Sequence, residues 1–276
     1  MTAPPRLTDR AALDAHRARA ARAPALFLNE IVADEIEDRV AMVNKSFTDR
    51  AVIAPFGEVW ADRWPGVEVL PDAETLALDA GSRDLIVHAL CLHWANDPVG
   101  QLAQCRLALR PNGLFLGALF GGQTLHELRR ALAEAESQIT GGLSPRVAPM
   151  GEIRDLGALL QRAGFALPVA DSQSLTVTYD NAFRLMADPR SMGETNALEG
   201  RLRRPTRRAV LIRAAEIYAE NFTGADGRIS ATFEIVHLAG WAPHESQQLP
   251  LRPGSAKARL ADALGAAEVP LPDKPD

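Results

Sequence analysis

The sequence predicts an α/β fold built around a mainly parallel sheet, and three observations lead there. Near-continuous apolar runs of strand length recur, AVIAPF at 51–56, DLIVHAL at 84–90 and LFLGALF at 114–120, and strands this apolar are buried on both faces, as in parallel sheets. Around them lie stretches whose apolar residues are three and four apart, the period of a helix packed on one side. Strand and helix therefore alternate, and right-handed crossovers join such units into a layered α/β domain.

Each element has its own local cause. Residues 8–24 are rich in alanine and arginine and read as a helix capped by Thr8 or Asp9 and ended at Pro24. Leu26, Ile31, Val32, Ile36, Val40 and Val43 keep close to the helical period and predict a second helix over 26–44. A short strand at 51–56, one or two helical turns at 58–63, a strand at 67–70 and a buried strand at 84–90 follow. A helix over 98–109, with Val99, Leu102, Cys105, Leu107 and Leu109 inward, is stopped by the turn Pro111-Asn112-Gly113. Residues 114–120 form the next buried strand. Thr124 with Glu127 three residues on has the spacing of a capping box and opens a helix over 124–138. A helix over 153–163 stops at Gly164, 175–179 alternates as a strand, 181–221 reads as largely helical, and the last strand lies within 231–241. The domain plan is N-terminal helices over 1–50, a core over 51–180, a helical cap insertion over 181–227, a last strand within 228–255 that completes the core, and a flexible tail over 256–276.

Bulk properties narrow the function. A chain of 276 residues is long enough for one large α/β domain or one with an insertion. A net charge of -5 gives no electrostatic reason to expect nucleic acid. Cys91 and Cys105 stand in apolar surroundings without CxxC spacing and read as reduced core residues. No apolar run approaches the roughly 18 residues of a membrane helix. Asp9 and Asp14 in the arginine-rich start argue against a transit peptide, so the expectation is a soluble, cytoplasmic protein.

Ligands of open α/β sheets bind outside the carboxyl ends of the strands. The exposed turn expected after the strand at 84–90 carries His93, Trp94, Asn96 and Asp97. His93 and Trp94 suit the floor of a binding site with His93 as an acid-base group, or an indole packed under the next helix. Asn96 and Asp97 also suit the cap of a helix with Pro98 at its first position. His88, inside an apolar strand, reads as a core histidine. No spacing among His93, His244 and the acids supports a metal. Arg201, Arg203, Arg204, Arg207 and Arg208 form a basic run that suits a solvated face or the docking of an acidic partner.

Five loops have compositions that periodicity does not explain: LHWAND at 92–97, GGQTLHELR at 121–129, GGLSPRVAP at 141–149, MGETN at 192–196 and GWAPHES at 240–246. In this order, across roughly residues 10 to 255, they resemble the family of the mitochondrial complex I assembly factor 5, an arginine-hydroxylase branch of the methyltransferase superfamily. They are similar, less closely, to the biotin-pathway malonyl-carrier-protein methyltransferase. The resemblance implies a class I methyltransferase-like, Rossmann-like sheet with an antiparallel last strand. It also implies S-adenosylmethionine as cofactor and a protein partner or protein substrate. Cofactor contacts would fall on Gly57, Asp72, Leu92 and Trp94, with His93 as the acid-base group. Among the substrate candidates, Ser144 and Arg146 suit a lid over the pocket or a plain surface loop, Glu194 and Asn196 a substrate contact or a helix-end cap, and His244, after the last strand, the same catalytic edge.

Against the superfamily pattern D-x-G-x-G-x-G, the corresponding place here reads AVIAPFGEVWADRWPG and offers only Gly57. Too few residues separate 51 from 87 for two full crossover helices, so the first half is expected to be shortened by a strand, its helix and the ribose carboxylate. Three functions stand open on these residues: an assembly or arginine-modifying factor with an eroded cofactor site, an active S-adenosylmethionine-dependent methyltransferase, and a binding module whose pocket is filled by Phe56, Trp60 or Trp94.

Overall fold

In a computed structural model that describes residues 6–248, a unit Met1–Pro243 carries every element below, and His244–Asp276 forms a second unit. Two helices open the chain, α1 (Arg10–Ala20) and α2 (Phe27–Met42). Then come β1 (Arg50–Ile53), the single turn α3 (Glu58–Ala61), β2 (Glu68–Leu70), β3 (Arg83–Ala89), a 3-10 turn at Leu92–Trp94, α4 (Pro98–Ala108) and β4 (Leu109–Phe120). The second half holds α5 (His126–Thr140), α6 (Ile153–Arg162), β5 (Ala166–Tyr179), α7 (Ala182–Ser191), α8 (Arg208–Phe222) and β6 (Ile229–Trp241).

One six-stranded sheet runs in the order β2-β1-β3-β4-β6-β5. β2, β1, β3 and β4 are parallel neighbours, and β6 lies antiparallel between β4 and β5. This is the class I methyltransferase-like arrangement with its antiparallel final strand. Its first half is short: residues 54–67 hold only the turn α3, and residues 71–82 hold no helix.

Side chains of a strand alternate between faces, and that alternation builds two cores. Val52, Leu85, Val87, Leu114, Leu116 and Ala118 point to one side and meet Val32 and Ile36 of α2, Ala131 of α5, and Ile217 of α8. Ala51, Ile53, Ile86, Phe115 and Leu119 point to the other and meet Leu102 and Cys105 of α4 and Leu160 of α6. Both cysteines are buried and free, and His88 is fully buried with Nε2 3.1 Å from Gln101 Oε1. Burial pushes its imidazole down to about 4.

Several sequence expectations give way to tertiary context. Pro111-Asn112-Gly113 does not end α4 but lies inside β4. Partnership with β3 jumps from Arg83–Leu109 to Leu85–Leu114, so the segment is taken up as a bulge, with Asn112 at φ 61°. Leu107, expected inward, is 55% exposed because the buried face of α4 runs through Gln101, Leu102, Cys105 and Ala108. Thr124 forms no capping box: α5 begins after Leu125, at φ 52°, and Thr124 Oγ1 donates to Glu234 O while Glu127 accepts from Thr232. The strand expected at 175–179 begins at Ala166, and the stretch expected to be largely helical is two helices joined by an irregular loop at 192–207. The expected tail lies outside the described residues. α6 does end at Gly164, whose φ of 83° suits glycine.

The two faces of α4 give a direct check. Leu102→Ala should destabilise the protein by about 2–5 kcal/mol, whereas Leu107→Lys should stay within about 0.5 kcal/mol of wild type. Urea unfolding of both variants measures this, and a costly Leu107→Lys would restore the inward reading.

Candidate functional site

The site is assembled from α1 inward. Asp9 caps α1 by accepting from Ala12 N. Arg10, Leu13, Arg17 and Ala20 recur at helical spacing and make one face, with Leu13, Arg17 and Ala20 buried. Two arginines on a packed face need a counter-charge. Asp72, just beyond β2, supplies it: its carboxylate is fully buried and accepts from Arg17 Nη1 at 2.8 Å and Arg10 Nη1 at 3.1 Å. Burial pushes this carboxyl up, but Arg17 and Arg10 outweigh it and hold it below its ordinary value.

The loop after α7 is stitched onto α1. Asp9 N donates to Ala197 O, Glu199 N donates to Leu7 O, and His16 Nδ1 lies 3.0 Å from Thr195 O. Asn96 joins the turn after β3 to the start of α1, its Oδ1 accepting from both Leu7 N and Thr8 N at 2.9 Å. Asp97 caps α4, accepting from Gly100 N. Together these contacts carry Glu194 to the turn. Glu194 Oε2 accepts from Trp94 Nε1 at 2.5 Å and lies 2.9 Å from His93 Nε2. Burial pushes Glu194 up, while the opposing pull of His93 and Arg17 and the Trp94 hydrogen bond hold it below the usual value. The ring of His93 also packs against Phe120, with centroids 4.9 Å apart.

The turn is not exposed as the sequence suggested. The His93 side chain is 3% exposed and Trp94 is 2% exposed, because α1 and the 192–201 loop cover them. Beside them opens a cavity of about 500 Å³, within the range of roughly 300–1,000 Å³ typical of ligand pockets. Trp94, Phe120, Leu128, Met192 and Phe233 contribute apolar wall, Glu194 its carboxylate, and Arg146, Arg190 and Arg201 guanidinium groups.

Of the expected substrate residues, Arg146, Glu194 and Asn196 line this cavity. Asn196 holds the 141–149 loop by donating to Pro145 O at 2.7 Å. Ser144, in the same loop, does not line the cavity; with Arg146 it is bonded to the buried Glu136 carboxylate. His244 belongs to the second unit, where its Nδ1 lies 2.8 Å from Ser246 Oγ. Of the expected cofactor residues, Trp94 reaches the cavity and Leu92 packs in the opposite core with Ile53 and Leu70. Gly57 has φ −76°, open to any residue, and an added Cβ would meet Val69 at an ordinary 3.4 Å. Over the ends of β1, β3 and β4, where Pro55, Leu90 and Phe120 meet Asn29, Met192 and Glu194, the void is about 10 Å³, room for about one water. Among the described residues, no group of three or more His, Cys, Asp or Glu could hold a metal ion.

Arg10, Arg17 and Glu136 were not singled out from sequence. The signal for the arginines was their phase: both fall in register with Leu13, on the face a helix buries.

Because Asp72 and Glu194 titrate lower in the folded protein than in the unfolded chain, their contribution is fully present above about pH 4–5 and is lost as pH falls through the lowered values. Asp72→Asn should cost about 3–5 kcal/mol at neutral pH, since Arg17 loses its buried counter-ion. It should also lose stability less steeply than wild type below about pH 4. Urea titrations across pH measure both, and identical acid limbs would remove Asp72 from the network.

Comparison with known proteins places this geometry. Residues 23–117 match the methyltransferase domain family. The mitochondrial arginine-hydroxylase NDUFAF5 of Rattus norvegicus is 41% identical over 198 residues, 72% of this chain and 57% of that protein. A malonyl-[acyl-carrier protein] O-methyltransferase of Xylella fastidiosa is 38% identical over 172 residues, 62% of this chain and 56% of that one. The chain thus spans little more than half the length of these curated relatives. Among solved structures, phosphoethanolamine N-methyltransferase 2 of Haemonchus contortus in complex with S-adenosyl-L-methionine aligns with a TM-score of 0.42 and 13% identity, covering 77% of this chain and 53% of that one. By its sheet the chain has a class I methyltransferase-like fold, and by its domain match and its identity to these relatives it resembles the NDUFAF5 arginine-hydroxylases and, more distantly, the malonyl-carrier-protein O-methyltransferases.

Proposed function

We propose that this protein acts on or with a protein partner, as a complex I assembly or arginine-modifying factor with an eroded S-adenosylmethionine site, and that its cavity receives a cationic side chain of that partner. The observation that carries the reading is the division of the strand ends into a closed crevice and an open cavity. A cofactor over β1 and β3 needs a glycine-lined approach, a free acid beyond the neighbouring strand and several hundred cubic ångströms. The residues present do not fit it. Gly57 makes no close approach, Asp72 is engaged by Arg10 and Arg17, and the void is about 10 Å³.

The open cavity supports a different ligand. Glu194 Oε2 is engaged by Trp94 and His93, and no hydrogen bond to Oε1 forms among the described residues, so one carboxylate oxygen remains for a donor. A guanidinium stem would lie along the apolar wall, and its head would pair with an anion already desolvated and fixed. The roles of these residues are binding and orientation: Trp94 and His93 hold the carboxylate, and Arg17 helps keep it ionised. The cytoplasmic setting expected from sequence remains part of the reading. The mitochondrial address belongs to the relatives' names, and among the described residues no helix is long and apolar enough to cross a membrane.

Calorimetric titration of the purified protein with S-adenosylmethionine should show no binding, or a Kd weaker than about 100 μM. Low-micromolar binding would replace this reading by that of an active methyltransferase on a carrier protein or small molecule. Glu194→Gln preserves shape and acceptor, so it should keep the fold yet abolish complementation in a strain that lacks the gene. Full complementation by that variant would remove the carboxylate from the function, and with it the cationic ligand.

A further inference from the structure

The mouth of the cavity carries a concentration of arginine that runs against a chain of net charge -5. Arg190 and Arg201 line the cavity, and the exposed Arg204, Arg207 and Arg208 flank two further lining residues, Leu202 and Thr206. The acids of this region are already engaged: Asp9 by Arg201 and Arg203, Glu199 by Arg203, and Glu136 by Arg146. Among the described residues no carboxylate pairs with Arg190, Arg204, Arg207 or Arg208. The local field is visible at His16, which burial pushes down and which the charges of Arg19, Arg201 and Arg190 push down further.

We propose that this arginine collar docks an acidic segment of the protein partner, with carboxylates flanking the inserted side chain pairing to Arg190, Arg204, Arg207 and Arg208. The inference rests on the reading of the cavity as a protein side-chain site, and it adds the chemistry of the surrounding sequence. Glu194 and the collar then divide the work: the carboxylate selects a cation at the centre, and the guanidinium groups select anions on either side. Like charges opposed at either place disfavour other segments. A nucleic acid suits the arrangement less, because a phosphate entering the cavity would meet the ionised Glu194 carboxylate beside the apolar wall.

Fluorescence anisotropy with a labelled synthetic peptide, a central arginine flanked on both sides by aspartates, tests the collar. Wild-type protein should bind it in a salt-sensitive manner. Changing the aspartates to asparagines, or introducing Arg204→Glu, Arg207→Glu and Arg208→Glu together, should each weaken binding about tenfold or more. The two changes combined should cost less than their product, the sign of direct coupling. The reversed arginines are exposed, so an unchanged melting temperature should accompany the loss. Equal affinity for the aspartate and asparagine peptides, no binding at about 1 mM peptide, or tighter binding of a poly-dT oligonucleotide than of the peptide would each overturn the proposal. Replacing the central arginine by glutamine separates the two readings. If that peptide binds as well as the parent, the cavity reading fails while the collar stands.

Discussion

Asp72 lies fully buried at the end of β2, and a carboxylate stays charged there only because Arg10 and Arg17 of α1 close on it. That pair fixes where α1 lies, and the position of α1 sets the rest of the strand-end architecture. Thr8, Asp9 and His16 take hold of the 192–199 loop and of Asn96, and the loop in turn carries Glu194 onto Trp94 and His93. Arg17 touches both ends of this chain of charge, since it bonds to Asp72 and its field helps to keep Glu194 ionised. Its Nε and Nη2 have no partner among the described residues. The guanidinium is therefore held by few bonds and by the charge around it, and Asp72 is the acid it bonds to.

The fold and its use separate at this point. In an open α/β sheet the crevice at the carboxyl ends is the natural place for a nucleotide-like ligand. Here that crevice is packed by side chains from α2, β4, the turns after β1 and β3 and the loop after α7, while the space beside it, toward α5 and α8, stays open. The same residues serve both sides. Phe120, Met192 and Glu194 close the crevice and line the cavity, so closure of one shapes the other. The 141–149 loop completes the wall because the buried Glu136 binds Ser144 and Arg146 at once, a small network in which every carboxylate oxygen is used.

Element type was legible wherever burial imposed a strong period. β3 and β4 are apolar on both faces and α6 keeps one clean stripe, and all three appear within a few residues of expectation. The errors cluster where a local pattern met a stronger partner elsewhere. Thr124 and Glu127 have cap spacing, yet both bond to β6, which follows them by about a hundred residues. Pro-Asn-Gly has turn chemistry, yet it is carried as a bulge between the Leu109 and Leu114 pairings with β3, and Asn112 N and Gly113 O bond to Ala242 just beyond β6. β5 is an edge strand with half-exposed side chains, so only its final residues alternate clearly enough to read.

The site divides along the same line. From its residues alone the sequence determined the α/β class, the core roles of His88 and the cysteines, and the interest of the turn at 92–97, and set against the methyltransferase pattern it also determined the shortened first half. It also named Glu194 and Asn196 in a polar loop. Only the tertiary structure decided that Glu194 meets Trp94 and His93 across a hundred residues, that Asp72 is engaged by arginines from the first helix, and that the turn is covered. The reason is physical. Periodicity records which side of an element is buried, because burial acts on every turn or every second residue. A counter-ion acts once, across whatever distance the fold closes, and leaves in the sequence only an arginine in phase with a leucine.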